Sequence, residues 1–400
     1  MTAGGDWQTV SDDKPPPPVQ QKNSAGNEGK TAKVPTDPNV FASDKGKKWN
    51  LNIVSGTKFQ GGDKYPGAIY SSSMPTMGCD KARTSIIDGK PFWNFGDCLG
   101  STDDWIGFDM GSAYYASTTN PLQYDTHGKT QINKDLTFAK PWYGDADPPD
   151  GQYYGMDTSN TAQVAPGEGI AFAWEVFRTT KKETGEKGQA VLHVTLGEDM
   201  PVAQREEGLR WGPNRLYVGE MTVFNPNNLS PVPPNAGGYL YMYSVSTSVY
   251  APVIVGRVKV GNAFDHNKYE FQKTDGTWDD AGQIPASDGA GYGMSGNPGG
   301  PISNAQGSIM YNYYLGKYML WTSKMATTGG FYLSDSPVGP WGDYYEILGQ
   351  QEADQGNTPD KVHYGVNCHP ALLPNSDGKE VLVSWGTNSI VNMFKLSFEY

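Results

Sequence analysis

Helical periodicity is largely missing from this sequence of 400 residues. We find no convincing stretch in which apolar residues recur at positions i, i+3, i+4 and i+7, the pattern of an amphipathic helix. Charged residues make up only 18%, whereas the chain has 50 glycines and 29 prolines. That composition is typical of many short strands joined by turns. The sequence therefore predicts an all-β protein.

Positive charge, long apolar runs and cysteine are also scarce. The net charge of −12 and the pI of about 4.9 argue against a nucleic-acid partner, because such proteins normally present a basic face. No apolar run approaches the length that crosses a membrane, so we expect no membrane partner. The first residues, MTAGGDWQTV, lack the apolar core of a secretory signal. Either the protein is not secreted by that route, or the sequence begins after a removed signal. Three cysteines allow one disulfide with one thiol left over.

Two common catalytic motifs are absent as well. The glycine-rich segment at 287–301, SDGAGYGMSGNPGGP, lacks the Gly-Lys-Ser/Thr ending and the following helix of a phosphate-binding loop. We interpret this segment as an insertion that forms a rim loop over the pocket. The chain has no Gly-x-Ser-x-Gly elbow, so serine-nucleophile machinery is not visible either.

The chain divides into a leader and one large domain. Residues 1–45 include the polar, proline-rich stretch DKPPPPVQQKNSAGNEGKTAK, which has nothing to bury and predicts a flexible leader. From KKWNLNIV onward the sequence becomes strand-like, and we assign residues 46–400 to a single large domain.

An internal repeat indicates the architecture of this domain. Five segments consist of a turn glycine followed by an apolar, strand-like run: Gly89–Gly96, Gly188–Thr195, Gly237–Ser244, Gly316–Ser323 and Gly378–Trp385. Five hairpin-centred units with unequal insertions predict a five-bladed β-propeller, with a large β-sandwich as the alternative. A strand from KKWNLNIVSGTKF is expected to pair with SIVNMFKLSFEY in the last blade, which closes the ring and covers its edges.

The first repeat unit contains an unusual pair of acids. In MGCDKARTSIIDGKPFWNFGDCLG (Met77–Gly100), the dipeptide Asp88-Gly89 predicts a two-residue type I′ turn. In that register Asp80 lies opposite Asp97, and Cys79 lies opposite Cys98. Counting outward from the turn places the acids at a non-hydrogen-bonded position, where opposed Cβ atoms are about 4.5–5.5 Å apart. Like charges so close destabilise a sheet, so the pair indicates function.

Alignment of the five units on their turn glycines supports this interpretation. Only the first unit has an acid at the position of Asp97, so the repeat itself does not require one. The fifth unit has His369 at the position of Asp80 and Cys368 at the position of Cys79. Because the first and fifth blades of a closed ring are neighbours, His369 is expected to lie near the acid pair.

Two carboxylates about 5 Å apart cannot both ionise freely, so one should keep its proton to higher pH. Glycoside hydrolysis requires a protonated acid beside a carboxylate. The acid protonates the leaving oxygen, and the carboxylate attacks the sugar or activates water. The short predicted separation favours retention of configuration. Asp80 and Asp97 are therefore the catalytic candidates, and their individual roles stay open.

Other residues are candidates for substrate binding. Aromatic residues such as Trp93 offer flat faces for stacking on sugar rings. The segment VHYGVNCHP supplies Tyr364, Asn367 and His369. Its histidines could also hold a metal, but without a third clear ligand we favour hydrogen bonding to substrate. Glu175 is a further candidate for substrate binding. Glu175 and Glu220 both lie in strand-like settings and are reserve candidates for the acid or base.

Asp109, with the neighbouring Asp103 and Asp104, could bind sugar hydroxyls or a structural calcium ion. We otherwise expect no cofactor and no catalytic metal.

The same motifs resemble a known family. Met77–Gly100, GSIMYNYYLGKYMLWTS, SDSPVGPWG and YGVNCHPAL are similar to successive landmarks of the family first described as domain of unknown function 4185, which includes endo-D-arabinanases of glycoside hydrolase family 183. The resemblance runs from about residue 66 to the C-terminus. FGDCLG is its most specific piece, matching the pattern Phe-Gly-Asp-Thr-Phe-Gly.

The resemblance implies a five-bladed propeller with two catalytic aspartates in the first blade, which correspond to Asp80 and Asp97. It also supports His369 as a pocket residue. This chain departs from the pattern at Cys98, where threonine is usual, and at Gly307, where an acid commonly precedes Ser308. The long insertion in the second unit has no counterpart that we can place.

We therefore expect a secreted, monomeric glycoside hydrolase that cleaves a furanoside-containing polysaccharide of the arabinan type. Two alternatives are a non-catalytic, lectin-like propeller that binds carbohydrate and a structural propeller that presents protein-interaction loops. A polar axial pocket would argue against the last. The sequence leaves open whether Cys79 pairs with Cys98, with Cys368 or with neither.

Overall fold

The protein is a five-bladed β-propeller, as the repeat predicts. The computed structural model describes residues 49–54, 67–74, 77–99, 109–126, 152–179, 182–205, 210–245, 251–294, 302–303, 306–323, 328–349, 364–386 and 390–398. The predicted leader at 1–45 lies outside these residues. Among the described residues there is no α-helix; the helical elements are short 3₁₀ turns at Pro226–Asn228, Val260–Asn262, His266–Lys268 and Pro370–Leu372.

Each blade is a small sheet in which consecutive strands pair mostly antiparallel. The first blade contains β2 (Tyr70–Ser71), β4 (Arg83–Ile87), β5 (Lys90–Asn94), β8 (Ala113–Ala116) and β9 (Gln123–Asp125), and a separate three-stranded sheet beside it contains β3 (Gly78–Cys79), β6 (Asp97–Leu99) and β7 (Asp109–Met110). The second blade contains β10 (Gln152–Thr158), β11 (Ala162–Ala165), β12 (Glu168–Thr179), β13 (Lys182–Leu196) and β14 (Pro201–Arg205).

The remaining three blades follow the same plan. The third contains β15 (Thr222–Phe224), β16 (Tyr239–Val245), β17 (Ala251–Lys259), β18 (Glu270–Phe271) and β19 (Ile302–Ser303). The fourth contains β20 (Gly307–Asn312), β21 (Lys317–Ser323), β22 (Gly329–Ser334) and β23 (Tyr345–Leu348). The fifth contains β24 (Tyr364–Cys368), β25 (Glu380–Gly386), β26 (Val391–Phe398) and β1 (Trp49–Ile53).

The predicted closure of the ring is confirmed. β1 pairs antiparallel with β26, from Trp49 opposite Phe398 to Ile53 opposite Phe394. The fifth blade thus takes its outer strand from the start of the domain. The inner strand β24 contacts β4 of the first blade, so these two blades are neighbours as expected.

The hydrophobic core consists of five clusters, one between each two neighbouring blades. This arrangement follows from strand geometry, because successive side chains of a strand point to opposite faces of its sheet. On β12, Ala171 and Ala173 pack toward the first blade, while Ile170 and Phe172 pack toward the third.

One of the five predicted repeat units is wrong. Gly188 is not a turn residue but lies within the long strand β13, opposite Glu175. The equivalent turn glycine of the second blade is Gly167, which has a φ of 74° and precedes β12. The inner strand of this blade is broken into β10 and β11, which both pair with β12 and so obscure the repeat.

Candidate active site

The hairpin that carries the two acids has the predicted register. Asp88 and Gly89 have φ angles of 47° and 78°, as a type I′ turn requires. Ile87 pairs with Lys90 next to the turn, and Cys79 pairs with Cys98 beyond the interruption in the hairpin. Asp80 therefore lies opposite Asp97 in the first blade.

The predicted hydrogen-bonding class of this acid pair is wrong. The Asp80 N–H donates to the Asp97 carbonyl at 2.9 Å, so the pair lies on the hydrogen-bonded side of the ladder. The cause is an irregularity after Asp80, where Lys81 and Ala82 have φ angles of 63° and 40°. These two left-handed residues separate β3 from β4. They move the Asp80–Asp97 pair from a non-hydrogen-bonded to a hydrogen-bonded position, while the same residues stay opposite each other.

The irregularity frees one N–H for a side chain. The Asp97 N–H donates to Asp80 Oδ1 at 2.7 Å instead of to the Asp80 carbonyl. The Asp80 carbonyl accepts from Ala82 at 2.7 Å and from Gly96 at 3.3 Å. The Asp80 side chain is buried, whereas that of Asp97 is partly exposed. The two carboxyl groups therefore occupy different environments.

Two cations that the sequence analysis missed lie next to the acids. Lys81 forms a buried ion pair with Asp157 at the end of β10. Arg83 donates to the carbonyl of Thr158 at 2.9 Å and to that of Glu220 at 2.6 Å. The first blade is thereby tied to the second and the third at their inner ends.

Burial and the neighbouring charges shift the pKa values of both cations. Burial, and then repulsion from Arg83, lower the pKa of Lys81, while Glu220, Asp80 and Asp97 act in the opposite direction. Burial also lowers the pKa of Arg83 to about 10, against the attraction of Glu220 and Asp80. Acids from the first and third blades thus act on the same two cations.

A small polar cavity lies at this centre. Its volume is about 10 Å³, room for roughly one water molecule, and it is lined by Arg83, Asp157, Thr158, Ser159, Phe172, Trp174, Gln189 and Glu220. Several of its polar atoms have no hydrogen-bond partner among the described residues, including Arg83 Nε, Asp157 Oδ1 and Trp174 Nε1. Buried polar atoms of this kind are normally satisfied by water or ligand, so the cavity suits a polar occupant. The reserve candidate Glu220 lies here.

The fifth blade contributes His369 from behind the acid-bearing hairpin. His369 is fully buried, with Nδ1 3.2 Å from the Thr84 hydroxyl and its ring 5.0 Å from that of Trp93. Burial lowers the pKa of His369 to about 3, so the imidazole is neutral at pH 7. The structure brings His369 to the hairpin as expected, but packs it against the strands β4 and β5.

Asn367 contacts the acid-bearing segment directly. Its Nδ2 donates to the Lys81 carbonyl at 2.5 Å and to the Gly365 carbonyl at 3.2 Å. Asn367 therefore anchors the left-handed segment after Asp80, which suits a positioning role better than the predicted contact with substrate. Tyr364 begins the same strand, β24.

Two other predicted substrate residues lie elsewhere. Trp93 is completely buried, with its ring packed against those of Phe95 and His369, so it is a core residue without a free face for a sugar. Glu175 is also completely buried and its carboxylate pairs with Arg205 at 2.8 Å. Both side chains are buried between strands, whereas the prediction placed them in contact with substrate.

The predicted acidic loop is described only at its end. Asp109 lies in β7 opposite Cys98, one position from the acid pair, while Asp103 and Asp104 fall outside the described residues. Within the described ranges, no group of three or more His, Cys, Asp or Glu side chains could hold a metal ion. In the same part of the chain, no helix is long and apolar enough to span a bilayer.

The missed residues had a weak signal in the sequence. Lys81 and Arg83 stand two apart directly after Asp80, where apolar strand residues would be expected. Asp157 marks the point at which the inner strand of the second blade breaks. Neither feature could be paired with the acids until the ring brought the first three blades together.

No family model matches the chain, and no curated protein matches it. Solved structures are similar in fold. A protein from Bacteroides ovatus described as a candidate hydrolase is 17% identical, over 80% of this chain and 85% of that one, with a TM-score of 0.53.

Two further structures are more distant. An exo-β-1,3-galactanase from Clostridium thermocellum is 11% identical over 86% of this chain and 61% of that one, with a TM-score of 0.46. A β-1,3-galactosidase of glycoside hydrolase family 43 is 11% identical over 83% and 93% of the two chains, with a TM-score of 0.43. At these identities the likeness concerns the fold alone.

Proposed function

We propose that the protein is a glycoside hydrolase in which Asp80 and Asp97 act as the catalytic pair. The observation that carries this proposal is the hydrogen bond from the Asp97 N–H to Asp80 Oδ1, which fixes the Asp80 carboxylate against the backbone of the opposite acid in the first blade. A sheet gains nothing from two opposed acids, whereas glycoside hydrolysis needs two carboxyl groups on either side of the scissile bond.

The unequal environments suggest a role for each acid. A hydrogen bond donated to a carboxylate favours its charged form, and Lys81 and Arg83 lie close to Asp80. We assign Asp80 as the ionised group that attacks the sugar or activates water. Asp97 is more exposed and is assigned as the acid that protonates the leaving oxygen.

The substrate class rests on the family resemblance of the first-blade and fifth-blade motifs. We propose a furanoside-containing polysaccharide of the arabinan type, cleaved by an endo-D-arabinanase-like activity. The disulfide between Cys79 and Cys98 supports an oxidising and hence extracellular location, because such bonds rarely persist in the cytosol.

Product release from a panel of plant, fungal and mycobacterial arabinans tests the proposal. Asp80→Asn and Asp97→Asn should each lower kcat by about 10²–10⁴-fold while the fold stays intact. Asp280→Asn, in an exposed loop of the third blade, is the matched control and should retain full activity. Retained activity in either site variant would exclude that residue from catalysis.

The two roles can be separated with an activated aryl glycoside. Its leaving group needs little protonation, so the Asp97→Asn variant should recover most of its kcat/KM while the Asp80→Asn variant should not. The reverse pattern would exchange the roles. Glycan binding without turnover by the unmodified protein would favour the lectin-like propeller instead.

A further inference from the structure

The sheet that carries the acid pair is very small. Its strands β3, β6 and β7 have two, three and two residues. A ladder this short is marginal in water without additional support. The regular pairing of β4 with β5 does not continue into this sheet, because Lys81 and Ala82 interrupt the chain between β3 and β4.

A disulfide lies directly beside both acids. Cys79 and Cys98 are bonded across the sheet with their Cα atoms 4.1 Å apart. Cys79 immediately precedes Asp80, and Cys98 immediately follows Asp97. Each acid is therefore one peptide unit from the cross-link. Both cysteines are buried, with exposed fractions of 5% and 0%.

Hydrogen bonds also hold Asp80 opposite Asp97. The two residues share one backbone hydrogen bond and the bond from the Asp97 N–H to the Asp80 carboxylate. The bond to the Asp80 carboxylate forms only when the two residues are already opposite each other, so it cannot by itself set their relative position. The cross-link is the one covalent restraint between the two strands within the described residues.

We propose that the Cys79–Cys98 disulfide is a positioning element of the acid pair, and that turnover at this site depends on the bond being formed. This inference rests on the proposed function. Cys98 stands where the family that this chain resembles usually has threonine. The disulfide is therefore a feature of this chain and is not implied by the resemblance.

The effects on stability and on reaction rate distinguish a positioning disulfide from one that only stabilises the fold. A disulfide that closes a loop of this size stabilises a protein wherever it lies, so loss of stability alone does not support the proposal. Displacement of a catalytic group by about 1 Å can cost about 10²-fold in rate. The test must therefore compare variants of equal stability.

The test variant is Cys79→Ala/Cys98→Ala, and the matched control is Leu320→Ala. Leu320 is fully buried between the third and fourth blades, across the ring from the acid pair, and its truncation costs a similar amount of stability. Both are assayed at a temperature where circular dichroism shows each to be folded. We expect kcat to fall by about 10–100-fold in the cysteine variant, with KM nearly unchanged, and to be preserved in Leu320→Ala. Equal kcat in the two would overturn the proposal.

A second readout does not require activity. The Asp97 N–H is the donor to the Asp80 carboxylate, so hydrogen exchange at this amide reports the geometry of the pair. We expect exchange at Asp97 to be at least about tenfold faster in the cysteine variant than in Leu320→Ala. Equal exchange would overturn the positioning role. If the unmodified protein cleaves no glycan but this difference is found, the proposed function fails while the positioning role stands.

Discussion

At the scale of single residues, Gly96 leaves the space that the Asp80 carboxylate occupies. A Cβ at position 96 would overlap Asp80 Oδ1 and come within 2.7 Å of the Lys81 side chain. Gly96→Ala should therefore displace the carboxylate and lower kcat by about 10²-fold, with little change in fold. Steady-state kinetics and circular dichroism check this expectation.

Gly261→Ala is the matched control, because its added Cβ would meet nothing within 4 Å. It should leave both kcat and the melting temperature unchanged. Equal kcat in Gly96→Ala and Gly261→Ala would show that the position of Asp80 does not matter for turnover.

His369 makes a separate prediction about pH. Burial lowers its pKa to about 3 in the folded protein from 6.5 in the unfolded chain. The unfolded chain therefore binds the proton first as the pH falls, and the free energy of unfolding decreases from about pH 6.5 down to about pH 3. Between pH 7 and pH 5 the loss is about 2 kcal/mol.

Urea unfolding at pH 7 and pH 5 measures this loss. His369→Gln removes the titrating group, so its stability should change by about 2 kcal/mol less than that of the unmodified protein over this range. An identical pH dependence in both proteins would mean that His369 is not buried in its neutral form.

At the scale of elements, local signals were sufficient for the hairpin but not for its interruption. Asp88-Gly89 predicted the turn because few other dipeptides adopt positive φ at both positions, and the pairing of Cys79 with Cys98 followed by counting. The hydrogen-bonding phase at Asp80 could not be predicted, because the left-handed Lys81 and Ala82 depend on support from outside the hairpin.

That support comes from the fifth blade, where Asn367 holds the Lys81 carbonyl. Some 286 residues separate the two in sequence, so no local pattern relates them. The same reason explains why Asn367 was predicted to bind substrate. A polar residue beside a site has the same sequence signature whether it contacts ligand or backbone.

At the scale of the whole molecule, repetition and edge protection predicted the fold. A ring of similar units needs its last sheet completed, and β1 provides that strand beside β26. The composition of the centre could not be predicted, because Lys81 and Arg83 meet Asp157 only through the packing of the first blade against the second.

Ring closure can be tested by deletion. Removing the chain up to residue 53 exposes the edge of β26 and removes the half-buried side chains of Leu51 and Ile53, which pack against the core between the fourth and fifth blades. Burial of two such side chains stabilises the fold by about 2–4 kcal/mol. We expect the melting temperature to fall by roughly 3–5 °C. Self-association should also increase, because β26 becomes an open edge.

Removing residues 1–45 instead is the matched control, since it leaves β1 in place. If the proline-rich segment is a leader, this shorter deletion should leave both the melting temperature and the monomeric state unchanged, as differential scanning calorimetry and light scattering would show. Equal losses of stability in the two deletions would place the domain boundary before residue 45. Stability preserved in both would mean that the ring does not depend on β1 for closure.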